Sequence, residues 1–379
     1  MQFKDLRAQY ETLKADIDRG IQDVIDSGHF ILGNPVTVLE NQLKEYVGVK
    51  HCVSCANGTD ALQLVLMAWG IGAGDAVFTS DFTYFASAGC ASVLGATPVP
   101  VDIDRDTFNI SPDDLKRKIE CVLKEGKLRP KVIIPVDLFG LPADHKSIQT
   151  IANQYGLKVL EDGAQGFGGS IHGRKACSFG DAAITSFFPA KPLGCYGDGG
   201  AIFTDSDELD ELLRSLRAQG RSPLDKYDNR MIGLNSRLDT LQAAILLPKL
   251  TALASYELKN LNNAANAYTA ALHETVKTPV VPEGYYSSWA QYTIMLSDRA
   301  ARDRLQRHLK TMGIPTMIYY PRGLHQQTAY QSMNLRDEDY PNAVRVAQCV
   351  LSLPMHPYLK EDDIDQVTEA IKEFIQTEQ

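Results

Sequence analysis

Between about residues 50 and 250, short apolar runs alternate with segments of helical spacing, and this alternation restricts the fold more than any other feature. "DAVFTS" (75–80) reads as a strand followed by the helical "FASAGCASVLG"; "TPVPVDID", "KVIIPVDLFG" and "LKVLED" read as further strands. The last two flank "HKSIQTIANQYG", whose Ile148, Ile151 and Ala152 recur at helical spacing. Ser111 followed by Pro112 marks a helix start, a capping hydroxyl before a proline in the first turn. Such a chain is expected to be α/β, with a mostly parallel sheet flanked by helices. Residues 1–250 form a large α/β domain with an N-terminal helical segment in this reading. The helical stretch beginning "SRLDTLQAAILLPKL" leads to a smaller α+β domain over 251–379, with "WAQYTIML" and "IPTMIYY" as strands. "ARDRLQRHLKTMG" and "EDDIDQVTEAIKEFI" are its helices. In parallel sheets ligands sit beyond the carboxyl ends of the strands, so the loops that follow strands are the places to look for chemistry.

The rest of the chain narrows the function classes. A net charge of -9 argues against a nucleic acid or an anionic membrane as the main partner. No apolar run is long enough to span a bilayer, and the charged N-terminus lacks the apolar core of a signal peptide, so a cytoplasmic location is expected. Seven cysteines do not form a disulfide framework. Cys52 and Cys55 make a C-x-x-C, but nothing completes a zinc set, and two small buried residues is the better reading. No metal site is expected.

Four loops stand out. In "HCVSCANGTDALQ" a strand runs through Asn57-Gly58-Thr59 into a helix, placing a hydroxyl and free amides at the helix's positive end. That suits a phosphate, although a plain strand-turn-helix with an Asn-Gly turn is the better reading of the segment taken alone. Tyr84, after the strand ending near Ser80, could offer a flat face to a ring, but as a lone aromatic it reads better as a core residue. "KVLEDGAQGFGG" ends an apolar strand in Glu161 and Asp162, which face opposite ways, with Gln165 three residues beyond. Its glycines do not fit a dinucleotide fingerprint. Finally, "SFFPAKPLGCYGDGGA" holds Lys191 between two prolines on the connection between two strands, with Ser186 upstream. An amine shielded by Phe187 and Phe188 loses solvation and becomes nucleophilic, able to form a Schiff base with an aldehyde. A phosphate turn, a ring platform, a carboxylate and a reactive lysine together match the needs of pyridoxal phosphate.

At these residues the chain resembles the DegT/DnrJ/EryC1/StrS sugar aminotransferases, pyridoxal-phosphate enzymes of the aspartate-aminotransferase fold. The resemblance runs from "FKDLRAQY" to "SLPMHPYL". It rests on "NGTDAL", "EDGAQ" and "SFFPAKPLGCYGDGG", with Asn57 where serine is usual and Gly163 where alanine is usual. It implies that Lys191 is the Schiff-base lysine, that Asp162 partners the pyridine nitrogen, and that Gln165 contacts the phenolic oxygen. Tyr84 would stack on the ring, and Gly58, Thr59 and Ser186 would hold the phosphate. "GLNSRLDTLQAA" resembles the family segment whose asparagine, here Asn235, reaches a neighbouring subunit's cofactor phosphate. That implies a homodimer with shared active sites. The donor implied is glutamate and the acceptor a nucleotide-linked keto sugar.

"SCANGTDALQ" and "GLNSRLDTLQAAILLPKL" look most like the branch that aminates C3 of UDP-2-acetamido-2-deoxy-3-keto-glucuronate for surface polysaccharide such as O-antigen. Both that sugar and glutamate carry a carboxylate that one arginine fork could grip, and Arg237 is the candidate, with a structural ion pair as its plain alternative. A dTDP-, UDP- or GDP-linked 3- or 4-keto-6-deoxy sugar is the other acceptor to weigh. Rival classes are a sugar dehydratase, in which histidine replaces the lysine, and a non-catalytic ligand sensor. His325 and His356 could line the sugar site but read better as structural residues.

Overall fold

In the computed structural model, which describes residues 1–222, 224–225 and 227–378, two helices, α1 (Leu6–Ser27) and α2 (Asn34–Val47), precede the first strand. Then follow β1 (His51–Cys55), α3 (Gly58–Ala68), β2 (Asp75–Ser80), α4 (Ala86–Val93), β3 (Thr97–Val101), α5 (Pro112–Glu125) and β4 (Arg129–Ile134). After these come α6 (His145–Tyr155), β5 (Lys158–Asp162), the short β6 (Ser170–Ile171) and β7 (Arg174–Lys175), β8 (Ala182–Ser186), β9 (Gly200–Thr204) and α7 (Asp207–Leu216). The strands foreseen between 50 and 205 are all present, and Ser111 caps α5 by accepting the Asp114 amide. Their side chains explain why: every residue of β2 and of β9 is buried, as expected of strands covered on both faces.

Seven strands form one sheet in the order β1-β9-β8-β5-β4-β2-β3. β9 runs antiparallel to both neighbours, and the other pairs are parallel. Leu62, Leu66 and Leu213 from α3 and α7 pack with Val53, Val77 and Leu160 on one face. Leu115, Ile119 and Ile148 from α5 and α6 pack with Phe78 and Ile133 on the other. Cys55 belongs to the first of these clusters, whereas Cys52 packs with α2 and the helices beyond, so the C-x-x-C pair lies on opposite faces of the sheet and both thiols are free.

Past the sheet, α8 (Thr240–Ala252) continues through a π-helical turn, Leu253–Glu257, into α9 (Leu258–Leu272). The two-residue β10 (Tyr285–Tyr286) joins β6 and β7, and β11 (Tyr292–Met295) pairs antiparallel with β12 (Val350–Leu353). α10 (Arg299–Thr311), α11 (Pro341–Cys349) and α12 (Glu361–Glu378) complete the chain. The foreseen strand "IPTMIYY" is not one: only Met317 bridges to β12, at Ser352. Pro315 lacks a donor, and the segment turns away after one bridge to bring Tyr320 toward β5. Among the described residues no helix is long and apolar enough to cross a membrane.

Candidate active site

The carboxyl ends of β2, β5 and β8 and the start of α3 meet at one mouth, and seven of the residues singled out in the sequence lie around it: Gly58, Thr59, Tyr84, Asp162, Gln165, Ser186 and Lys191. Asn57 caps α3, its side chain accepting the Asp60 amide at 2.8 Å and its carbonyl the Ala61 amide. The Gly58 and Thr59 amides remain at the positive end of the helix, open to an anion. Gly58 faces Ser186 so closely that a Cβ on it would lie 2.8 Å from the serine Cβ. Gly200, opening β9, meets the Asn57 carbonyl, where a Cβ would be 2.6 Å from the oxygen. Glycine at both positions lets the turn, Ser186 and β9 close into a single cradle.

Asp162 is buried at the end of β5. Its Oδ2 accepts the Ser87 hydroxyl at 2.8 Å and its Oδ1 the Ala164 amide at 3.2 Å. Burial raises its carboxyl above the usual range, while these hydrogen bonds and the Lys191 charge pull the other way. Burial lowers the Lys191 amine, with Asp162 opposing. No hydrogen bond or ion pair engages Lys191 Nζ among the described residues; only its backbone amide is used, donating to the Phe188 carbonyl. Phe187 is fully buried, but Phe188 is 52% exposed, so the sequence expectation of two shielding rings holds for one only. The covering comes from packing around the prolines instead: Lys191 shares the walls of a small cavity with Trp289 and Tyr358.

Gln165 is also buried. Its Oε1 accepts the Phe139 amide at 2.9 Å, which fixes the orientation of the amide, and its Nε2 donates to the Tyr320 hydroxyl at 3.2 Å. Glu161 points away, accepting the Cys177 and Phe179 amides beside Asp137, so the opposite-facing pair is as the strand geometry requires. Tyr84 is 60% exposed on the loop after β2 and is not a core residue.

Asn235 and Arg237 stand apart from this set. Asn235 is exposed, and its Oδ1 accepts from Arg237 at 2.6 Å. Arg237 has no carboxylate partner among the described residues, which removes the structural ion pair as its explanation. The segment is nonetheless tied to the cradle, because Ser236 Oγ accepts the Ala56 amide at 3.1 Å. His325 is structural: it pairs with Asp81 at 2.6 Å and Asp337 at 3.0 Å, and these carboxylates raise its imidazole against the effect of burial.

Sequence reasoning missed Ser87, Tyr320 and Lys4. Ser87 sits in the first turn of α4 with no motif around it, and Tyr320 falls in the segment "IPTMIYY" that reads as a strand. Lys4 lies more than 180 positions from Lys191 yet lines the same cavity. Only folding brings these together.

The amine, the buried carboxylate and the open helix terminus fit pyridoxal phosphate as a donor set. The DegT/DnrJ/EryC1/StrS aminotransferase family matches residues 11–372. The chain is 45% identical over 372 residues to the UDP-2-acetamido-2-deoxy-3-oxo-D-glucuronate aminotransferase of Pseudomonas aeruginosa, spanning 98% of this chain and 99% of that one. It is 44% identical over 374 residues to a pleiotropic regulatory protein of Geobacillus stearothermophilus, spanning 98% and 97%. The crystal structure of a DegT DnrJ EryC1 StrS aminotransferase from Brucella abortus superposes with a TM-score of 0.96 at 46% identity, covering 99% of each chain.

Proposed function

We propose a substrate and residue roles from one premise: the chain belongs to the DegT/DnrJ/EryC1/StrS aminotransferase family and is a pyridoxal-phosphate-dependent transaminase acting on a nucleotide-linked keto sugar. Its acceptor is UDP-2-acetamido-2-deoxy-3-keto-glucuronate, aminated at C3 with glutamate as donor, in the cytoplasm, for a surface polysaccharide such as O-antigen. The similarity to the Pseudomonas enzyme supports the sugar. The observation that carries the chemistry is the half-buried Lys191, whose amine has neither hydrogen bond nor ion pair among the described residues and lies close enough to Asp162 for each charge to act on the other.

When bound, pyridoxal phosphate supplies an aldehyde that receives the amino group and a ring that takes up electron density. The Gly58 and Thr59 amides, with the Thr59 and Ser186 hydroxyls, bind its phosphate. Asp162 holds a proton on the ring nitrogen; Ser87 and Ala164 fix the carboxylate and favour its charged form. Gln165 spends one N–H on Tyr320 and keeps the second for the phenolic oxygen. Tyr84 covers the ring face. Lys191 is lowered by burial, so it is neutral over more of the pH range and could take a proton from the substrate carbon and deliver it to the carbon that carries the cofactor's aldehyde. Asn235 serves the phosphate of a partner subunit, and Arg237 receives a substrate carboxylate.

The test is purified protein with glutamate and a panel of nucleotide keto sugars, read by mass spectrometry for the amino sugar. Turnover of the 3-keto-glucuronate in preference to 3- or 4-keto-6-deoxy sugars is expected. Lys191→Ala is expected to abolish both turnover and the cofactor's visible absorption. Arg237→Ala is expected to raise KM for glutamate and uronate by roughly tenfold or more, the worth of one charged hydrogen bond. The second reading, prompted by the regulatory relative, is a ligand sensor. It predicts cofactor binding without turnover of any sugar in the panel.

A further inference from the structure

Lys191 stands on the connection between β8 and β9, and one face of α8 grips the backbone of that connection. Gln242 and Lys249, about two helical turns apart on α8, both reach it. Gln242 engages both backbone polar groups of one residue: its Oε1 accepts the Tyr196 amide at 2.8 Å and its Nε2 donates to the Tyr196 carbonyl at 3.4 Å. Gly197 permits this approach, since a Cβ there would lie 3.1 Å from the same Nε2. Lys249 Nζ donates to the Gly194 carbonyl at 2.8 Å, and among the described residues no other donor serves that carbonyl, whose residue is buried. The connection also closes on itself. The Lys191 amide donates to the Phe188 carbonyl and the Cys195 amide to the Phe187 carbonyl, and a Cβ on Gly194 would collide with the Pro189 carbonyl.

A lysine at position 249 needs a physical reason, because lysine is almost never fully buried unless it is paired. Lys249 is 1% exposed and forms no ion pair among the described residues. Its charge rests on the Gly194 carbonyl, on the Tyr196 ring with its centroid 4.0 Å away, and on Glu257 at longer range. Burial lowers the amine to about 8 against the pull of Cys195 and Glu257, so it keeps its proton through neutrality. A methionine would fill the space without burying a charge. It would not donate to the Gly194 carbonyl, and a charged donor makes that bond roughly twice as strong as a neutral one would. Lys249 does not act on Lys191 by charge, since burial and Asp162 account for the shift of that amine. It reaches Lys191 through the backbone it holds.

We propose that Lys249 and Gln242 are positioning residues for Lys191, clamping its loop to α8 so that its amine meets the cofactor's aldehyde carbon in one fixed place. This rests on the reading of Lys191 as the lysine that carries the cofactor. The bond at stake is a C=N between the amine nitrogen and the aldehyde carbon; the aldehyde oxygen leaves as water with the amine's two protons. The phosphate cradle is built from the start of α3, Ser186 and β9 and takes nothing from Gln242 or Lys249. Binding of the cofactor and its attachment to Lys191 should therefore separate.

The experiment adds pyridoxal phosphate to the full-length chain freed of cofactor and follows attachment by visible absorption over a range of cofactor concentrations. Half-saturation reads binding, and the first-order rate at saturation reads the placement of the amine. In Lys249→Met the saturating rate is expected to fall roughly tenfold or more, as loss of a charged hydrogen bond implies, with half-saturation little changed. Gln242→Leu, at a half-buried position, is expected to lower the same rate by a smaller factor, because the bonds it loses are neutral. A saturating rate unchanged in both variants overturns the proposal. So does a loss confined to half-saturation or to the amount of folded protein, which is what packing alone would produce. If Lys249→Met does not fold, Gln242→Leu decides by the same measure. Borohydride reduction of the wild type, which adds a hydride to the C=N carbon and leaves a stable amine, locates the attached lysine by mass spectrometry. Attachment elsewhere than Lys191 would refute the reading of Lys191, and that result is seen before any variant is compared.

Discussion

At the scale of single residues, Asp162 shows how much depends on a neighbour without a motif. Its carboxylate is buried, which favours the neutral acid, yet its proposed role needs the anion. Ser87 supplies part of the difference through a 2.8 Å hydrogen bond. Ser87→Ala removes a hydrogen bond to a charged group, worth roughly 1.5–3 kcal/mol, and kcat is expected to fall roughly tenfold to a hundredfold with KM little changed. The variant also raises the Asp162 carboxyl further, so the acid side of the pH–rate profile should move to higher pH. Unchanged kinetics and an unmoved profile would assign Ser87 to packing alone. Lys191 and Asp162 could be singled out in the chain because Asp162 interrupts an apolar run at a strand end and Lys191 stands between two prolines on a strand connection. Ser87 could not, since a serine in the small-residue helix "ASAGCASV" looks like helix packing until its partner is known.

At the scale of elements, the phosphate cradle depends on α2, β1 and α7 being held in register behind it. Glu40 of α2 does this: its carboxylate accepts the Ser54 amide at 2.9 Å and hydroxyl at 2.7 Å, and pairs with Arg217 at 2.7 Å and Arg214 at 2.9 Å. Burial opposes the charge, but the two guanidinium groups and the Ser54 hydrogen bonds hold the carboxyl below its usual range. A carboxyl depressed in the fold stabilises it above the unfolded value, about 4.3, and that contribution is lost as pH falls through the lower folded value. Glu40→Gln leaves the buried Arg217 without its counter-charge and is expected to cost roughly 3–5 kcal/mol near neutrality. Urea unfolding at several pH values checks this: the gap between wild type and variant should close below about pH 4.3. A gap that stays constant on acidification would contradict the assignment. The alternation of β1, α3 and β2 was legible because each element carries its own periodicity. The Glu40 network was not, because Ser54 and Arg217 lie 14 and 177 positions from Glu40 and the charged members look like ordinary surface residues in sequence.

For the molecule as a whole, the exposed Asn235–Arg237 pair beside the cradle is the feature that a lone chain leaves without a local purpose. We propose a homodimer in which Asn235 completes the partner's phosphate site. Lys191→Ala and Asn235→Ala should each be impaired alone, but mixing them should rebuild one intact site in each mixed dimer, up to about a quarter of wild-type activity for random pairing. No recovery on mixing, with dimers confirmed by sedimentation, would place Asn235 in its own subunit's site. The sequence by itself determined the fold class and the strand ends and marked the lysine, the carboxylate and the glycine turn as candidates, because periodicity and interruption are local properties of a chain. The family resemblance named the cofactor. Tertiary structure alone decided that "IPTMIYY" turns inward to put Tyr320 on Gln165, that Phe188 faces solvent, and that Lys4 joins Lys191 in one cavity. Those outcomes follow from which distant backbone segments pack together, and burial and charge are properties of the packed result rather than of any stretch of sequence.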